Sequence, residues 1–479
     1  MISRILMISV NREFAPQPVA PIGAAWVAEA LNQAGFTVRL LDLTFSKRPL
    51  SDVAAAISEF KPEGVGISVR NVDNGDFLSP KSFLPPLKEI TDYIKQNTSA
   101  RILLGGSGVS VMPIEMLEYL GLDHAVVGEG EESAVMFFRA PKMEEACCAP
   151  GVVCRSKHSA DYERRDWLAT PDLVQPRMRR WIDVKRYMRF EPVLPIQGKR
   201  GCANKCLYCT YNRIEGKTYR LREPGAVVEE ISSLIMNTKA HTFEFVDSLF
   251  NQPEGYMERL LEEVIRWRLN AKFHVASMTP KGLTKEQVRL MERAGITAIG
   301  VTPEAASDVT LNSLRKGFSE ADVHRAADLL AGSNISALWC FLLGGPGESE
   351  KSLASTMAFI NHKIPAKDKA FITNGIRVYP HTGMHEYALA EGLLRKDDSL
   401  LMPTFYFTPE LEPERVRGIL RSGLDSLGKT IFLSDTQFSS LSGLRLIGTA
   451  LRLPSPFWRY AGYMNMMVSS RRVINRAWR

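Results

Sequence analysis

The chain has 479 residues, 45% of them hydrophobic and 24% charged, with a formal net charge of +7. This is ordinary globular composition at a length suited to about three domains, which excludes a largely disordered, collagen-like or coiled-coil protein. The charge is local. Segment 436–479 has no Asp or Glu and carries seven arginines (Arg445, Arg452, Arg459, Arg471, Arg472, Arg476 and Arg479), so residues 1–435 are formally neutral. The body therefore shows no global bias toward nucleic acid.

The opening MISRILMISVNREF has one short apolar run and no small-residue cleavage site, so it reads as a first strand rather than a signal peptide. No run reaches the roughly 18 apolar residues that span a bilayer. The expectation is a cytoplasmic protein. Strands are predicted at 4–10, 37–43, 64–69 and 100–106, and HAVVGEGEES (124–133) is expected to close the series. Helical patterns lie between them: AAWVAEALNQAG stopping at Gly35, SDVAAAISEF with Ser51 as an N-cap, and PPLKEITDYIKQN. Alternation of this kind predicts a doubly wound, Rossmann-like parallel sheet over residues 1–140. Ligands on such sheets bind beyond the carboxyl ends of the strands. The segments there are VRNVDNGD, GGSGVS and GEGEES. Each glycine alone reads as a turn; three such loops on one edge favour a ligand. The loop after the first strand, VNREFAPQPVAPIG, lacks GxGxxG, which excludes a nicotinamide dinucleotide site.

A connector is expected over 141–190. It holds Cys147, Cys148 and Cys154 and the basic, aromatic stretch RMRRWIDVKRYMRF, read as a solvated linker face. The seven cysteines are clustered rather than spread as a disulfide framework. A second cluster in the connector is conceivable, but adjacent cysteines chelate poorly.

The third predicted unit, 191–395, opens on GKRGCANKCLYCTY, in which Cys202, Cys206 and Cys209 give C-x3-C-x2-C. Three thiolates at this spacing can hold three corners of a four-iron cluster and leave the fourth iron open. Zinc normally needs four ligands, and no further Cys or His lies within twenty residues downstream. Cys340 is distant and sits in an apolar strand pattern. A chance trio of structural cysteines is the competing reading.

C-x3-C-x-aromatic-C resembles the signature of radical S-adenosylmethionine (SAM) enzymes. The resemblance extends through REPGAVVEEISSLI, TFEFVDSLFN, AGITAIGVTPEAASDVTLNSLRKGF, WCFLLGGPGESEKSLASTMAFI and VYPHTGMHEYALAEGLL, the last taken as the sixth strand and its exit. It implies a partial (β/α)6 TIM-type barrel and a [4Fe-4S] cluster on Cys202, Cys206 and Cys209. It further implies SAM contacts from Tyr208 (adenine), Glu304 (ribose), the turn Gly344, Gly345, Pro346 and Gly347, and Asp247 and Ser248 near the methionine amino group. Glu304 and Asp247 could instead cap helices. Two departures from the family pattern, Glu304-Ala305-Ala306 and Pro380-His381-Thr382, bear on the SAM contacts and the substrate wall. His381 is a candidate substrate contact or an exposed loop residue.

A doubly wound domain before such a barrel resembles the cobalamin-binding class of radical SAM enzymes, and in particular its methyltransferases. That implies cobalamin contacts from Pro21, Gly23, Ser68, Arg70, Gly105, Gly106, Ser107, Gly128, Glu129 and Gly130. The Asp-x-His-x-x-Gly motif that places histidine on cobalt in another cobalamin family is absent, as is usual in this class. Methylthiotransferases acting on tRNA are excluded because they carry three cysteines in the N-terminal domain, whereas Cys147 is the first here.

The resemblance implies methylation of an unactivated carbon through methylcobalamin and a 5′-deoxyadenosyl radical, with a flavodoxin- or ferredoxin-type electron donor. A radical cyclase or rearrangement enzyme without methyl transfer is the alternative; a non-catalytic metal-binding protein is another, of a different class. Segment 396–479 is expected to be mainly helical, a cap followed by a basic apolar tail. The tail suits either a membrane surface, with a lipid-like substrate, or docking on the protein's own core. Otherwise the substrate class is a small secondary metabolite, and no nucleic-acid partner is expected.

Overall fold

The computed structural model describes residues 2–14, 17–155, 167, 171–173, 177–423, 429–432, 445, 448, 449, 451 and 453–461. Two parallel sheets organise them. The N-terminal sheet has the order β2-β1-β3-β4-β5-β6, formed by β1 (Arg4–Ser9), β2 (Thr37–Asp42), β3 (Gly64–Ser68), β4 (Arg101–Gly105), β5 (His124–Val126) and β6 (Val152–Cys154). The first five are parallel, and β6 pairs antiparallel with β5. The series expected to end at GEGEES thus gains an edge strand from the connector. Strand order reverses at β1/β3, which opens a crevice beyond the carboxyl ends of the central strands. Helices Ile22–Gln33, Pro49–Phe60, Leu84–Asn97 and Glu131–Arg139 flank this sheet.

The second sheet has the order β17-β14-β13-β12-β11-β10-β7 and is parallel throughout. Its strands are β7 (Leu194–Ile196), β10 (Thr242–Phe245), β11 (Lys272–Met278), β12 (Ile296–Glu304), β13 (Ser336–Leu343), β14 (Lys369–Asn374) and β17 (Thr430–Phe432). Two short antiparallel ladders flank it: β8 (Lys199–Arg200) with β9 (Arg220–Leu221), and β15 (Ile376–Arg377) with β16 (Phe405–Tyr406). The sixth barrel strand is therefore β14, not the VYPHTG segment. Gly375, at φ +75°, turns the chain off the sheet, and Gly383–Ala390 is a helix. β17 then adds a seventh strand after the helix Pro413–Gly423.

The described part of the tail docks on the barrel. Arg445 is buried, with Nε 3.0 Å from Glu191 Oε2 and Nη2 donating to Gln17 Oε1 at 3.1 Å. Arg459 donates to the Thr297 carbonyl, and Phe457 is buried. Leu451 is exposed. Leu441, Leu444, Leu446, Ile447, Tyr463 and the arginines from Arg471 onward lie outside the described residues, as does Arg452. Among the described residues no helix is long and apolar enough to cross a membrane.

Candidate functional site

β8 delivers the chain into the cysteine loop at Gly201. This residue sits at φ +91°, and a Cβ there would lie 1.9 Å from the Thr218 carbonyl oxygen, so only glycine fits. The loop is held along its length. Cys202 N–H donates to Gly216 O at 3.1 Å, Leu207 N–H to Leu314 O at 3.0 Å, and Met384 N–H to Leu207 O at 2.8 Å. Cys202, Cys206 and Cys209 are all free thiols. Burial raises the Cys206 thiol, and pushes Cys209 up to about 12. Such thiols stay protonated alone, and a bound metal cluster is what reverses that. Their sulfurs are not drawn to single-ion spacing: among the described residues the trio whose ligand atoms all lie within 4.8 Å of one another is elsewhere. Three free thiols on one glycine-fixed loop are the donor set that a four-iron cluster takes with one iron left open.

Tyr208, inside the loop, reaches Glu304 at the end of β12. Its hydroxyl donates to Glu304 Oε1 at 2.7 Å. Lys316 donates to the Tyr208 hydroxyl at 3.1 Å and to Glu304 Oε1 at 3.3 Å. Burial alone would lower the Lys316 ammonium, but Glu304 offsets this and holds it raised. Glu304 has φ +69°, a conformation costing a non-glycine residue about 1–3 kcal/mol and common at ligand sites. The two predicted SAM contacts are therefore brought together, and Lys316 is a third member that motif reading left without a role. The 344–347 turn follows β13, with positive φ at Gly344 and Gly347, and its Gly344 N–H bonds to buried Glu348. Phe407 packs so closely on Gly344 that a Cβ would lie 2.7 Å from its ring.

Asp247 and Ser248 also hydrogen-bond the chain leading into the cysteine loop. Asp247 Oδ1 accepts from Gly198 N at 2.7 Å and Lys199 N at 3.2 Å, and its Oδ2 from Lys199 Nζ at 2.9 Å. The Ser248 hydroxyl donates to Gly201 O at 2.7 Å. Both residues fix the entry to the cysteine loop. His381 is an exposed loop residue, and Cys340 is a half-buried free thiol on β13.

A cavity of about 610 Å³ lies between the two sheets. All ten residues expected to meet cobalamin line it: Pro21, Gly23, Ser68, Arg70, Gly105, Gly106, Ser107, Gly128, Glu129 and Gly130. They come from three separate strand ends and one helix start, brought to one edge by the parallel topology. Gly106 is required there, since φ is +102° and a Cβ would lie 2.4 Å from Val69 O. Gly23 instead faces open space. The barrel supplies the opposite wall through Gln197, Arg200, Thr210, Tyr211, Glu215 and Tyr379.

Glu129 lines the cavity and is also paired with two arginines of the other domain. Arg200 Nη1 meets Glu129 Oε1 at 2.8 Å, and Nη2 meets Glu131 Oε1 at 2.7 Å. Arg220 Nη1 is 2.6 Å from Glu129 Oε2. Burial resists the Glu129 charge, yet the two guanidiniums hold its carboxyl below the usual range. Arg200 also lies over the Trp26 ring at 4.6 Å. This buried network ties the GEGEE loop to the residue before Gly201. Spacing could not show it, because its members come from distant parts of the chain; the only local hint was the Lys-Arg pair ahead of Gly-Cys.

Residues 8–137 match the B12 binding domain family model, and residues 196–360 match the Radical SAM superfamily model. The tryptophan 2-C-methyltransferase of Streptomyces laurentii is 25% identical over 445 residues, covering 78% of this chain and 72% of that protein. The anaerobic magnesium-protoporphyrin IX monomethyl ester cyclase of Cereibacter sphaeroides is 23% identical over 358 residues, covering 70% of this chain and 55% of the relative. Among solved structures, the radical SAM methyltransferase TsrM from Kitasatospora setae, with cobalamin and a [4Fe-4S] cluster bound, superposes with a TM-score of 0.83. Its sequence identity is 22%, and all of both chains is covered.

Proposed function

We propose that this chain, which joins a B12-binding domain to a radical SAM domain, is a cobalamin-dependent radical SAM methyltransferase acting on a small molecule. One observation carries the reading: the ten predicted cobalamin residues and the barrel residues flanking the cysteine loop line one shared cavity. A corrin held there would be bounded on the barrel side by Thr210 and Tyr211, which directly follow Cys209. When bound, SAM and cobalamin supply the methyl group and the radical chemistry. The protein's own residues position and shield. The three cysteines hold the [4Fe-4S] cluster. Tyr208, Glu304 and the 344–347 turn receive SAM, with Lys316 balancing Glu304. Asp247 and Ser248 hold the loop in place.

The substrate is read as a small secondary metabolite. The lipid alternative leaned on the arginine tail, and Arg445 and Arg459 are engaged inside the protein. The named substrate of the Streptomyces relative, tryptophan, supports a molecule of that size. A flavodoxin- or ferredoxin-type donor supplies electrons in the cytoplasm. The test is anaerobic reconstitution with trideuteromethyl-SAM, cobalamin and metabolite extract. The expected product carries one trideuteromethyl group. The cyclase relative favours a second reading, ring closure without methyl transfer; a product that has lost hydrogen and gained no label would select it.

A further inference from the structure

The start of the connector gathers three metal-ligating side chains at the end of the N-terminal sheet away from the cofactor cavity. β5 opens at His124, and β6 closes at Cys154, its register partner. Cys147 follows the short helix Met143–Ala146. The two sulfurs and a His124 ring nitrogen all lie within 4.8 Å of one another, and this trio alone among the described residues meets that spacing. Cys154 is buried and the other two are half-buried. The His124 ring is seated against Phe137, 5.4 Å between centroids. The cavity is lined by Val126 and by Gly128 to Glu131, beyond the opposite end of β5, so the trio is no part of the cofactor site.

Cys147 and Cys154 are joined as a disulfide. A protein with an iron–sulfur loop works in reducing surroundings, where such bonds are not maintained. A dithiol reductant opens the pair to two thiols, giving up two electrons and two protons and becoming a disulfide itself. Two thiols and an imidazole then remain within ion-binding reach. Zinc holds sulfur at about 2.3 Å and nitrogen at about 2.0 Å, which sets its ligands roughly 3–4 Å apart.

We propose that in the reduced protein His124, Cys147 and Cys154 bind one zinc-class divalent cation, with solvent at the fourth position. Binding releases the two thiol protons, and each sulfur–metal bond replaces half of the former disulfide. The ion staples β6 and the 147–154 loop to β5 as the disulfide does in the oxidised protein. The inference uses the iron–sulfur reading only to set the redox surroundings and does not depend on methyl transfer.

The test uses full-length protein with its cluster reconstituted, held in a dithiol reductant and given zinc sulfate. Metal analysis is expected to find one zinc per chain beyond the cluster iron. Zinc-edge X-ray absorption is expected to show two sulfurs near ~2.3 Å and nitrogen or oxygen near ~2.0 Å. Cys154→Ser and His124→Gln each lose the zinc and keep the iron, while Cys148→Ser keeps both. His124→Gln spares both cysteines, so it is decisive if the serine variant folds poorly. The proposal is overturned if no zinc binds, or if zinc persists in both variants. A three-sulfur zinc that disappears in Cys206→Ala would place the ion in the cluster loop and overturn it as well.

Discussion

Arg200→Gln is expected to loosen the joint between the cobalamin-side loop and the cysteine loop. Arg200 bridges Glu129 at 2.8 Å and Glu131 at 2.7 Å, with side-chain exposures of 7%, 4% and 5%. Breaking a buried pair from one side leaves carboxylates desolvated and costs about 3–5 kcal/mol. Arg220 still reaches Glu129 at 2.6 Å, which places the expected loss toward the lower figure. A tenfold change corresponds to about 1.4 kcal/mol, so the folded-to-unfolded ratio at a given urea concentration falls by roughly two orders of magnitude. The control is Arg39→Gln, which removes the exposed Arg39–Glu59 pair (exposures 40% and 63%) and is expected to cost under about 1 kcal/mol. The assay is urea denaturation of the full-length protein, with Arg200→Gln/Glu129→Gln closing a double-mutant cycle. The double variant is expected to lose less than the sum of the singles. An Arg200→Gln protein as stable as the Arg39→Gln control would refute the reasoning.

Glu304→Gln removes the charge that receives Tyr208 and Lys316, and is expected to weaken SAM binding by roughly 10- to 100-fold while iron content stays constant; unchanged binding in anaerobic calorimetry would remove Glu304 from the SAM site. Glu348 is fully buried, and burial lifts its carboxyl to about 7. Because that value is raised, its favourable contribution is complete below pH 4.5 and is lost as pH rises through 7. Glu348→Gln is therefore expected to match the parent near pH 5 and exceed it near pH 8, by at most roughly 3 kcal/mol. Denaturation at the two pH values measures it, and a larger gain at pH 5 would contradict the sign.

What was legible in the sequence was local. Cys202, Cys206 and Cys209 share one loop, and Gly105-Gly106 and Gly128-x-Gly130 each follow an apolar run, so spacing and resemblance both reached them. The ten cavity residues follow because a parallel sheet places every strand's carboxyl end on one edge. Long-range pairing was invisible. Glu129 meets Arg200 and Arg220, which come from another domain. Asp247 stands at a strand end, where a ligand contact and a loop anchor look alike; its bonds from the Gly198 and Lys199 amides could not be read from spacing. β14 was missed because KAFITN is short and opens within a charged AKDK run, while the family resemblance placed the sixth strand downstream, at VYPHTGMHEYALAEGLL. The arginine excess of the tail suited a membrane surface or docking on the core alike; Arg445 meets buried Glu191, which no composition count could register.

That one cavity joins the cobalamin and cluster sites is tested most directly by cobalamin uptake in Gly23→Phe. Gly23 lines the cavity, and a Cβ there meets nothing within 4 Å, so a larger side chain can start there without clashing at its first carbon. The wild-type holoprotein is expected to take up one cobalamin per chain, read from its visible absorption. Gly23→Phe is expected to take up almost none while retaining its full iron content. Equal cobalamin uptake by the two proteins, or none by the wild type, would contradict the account.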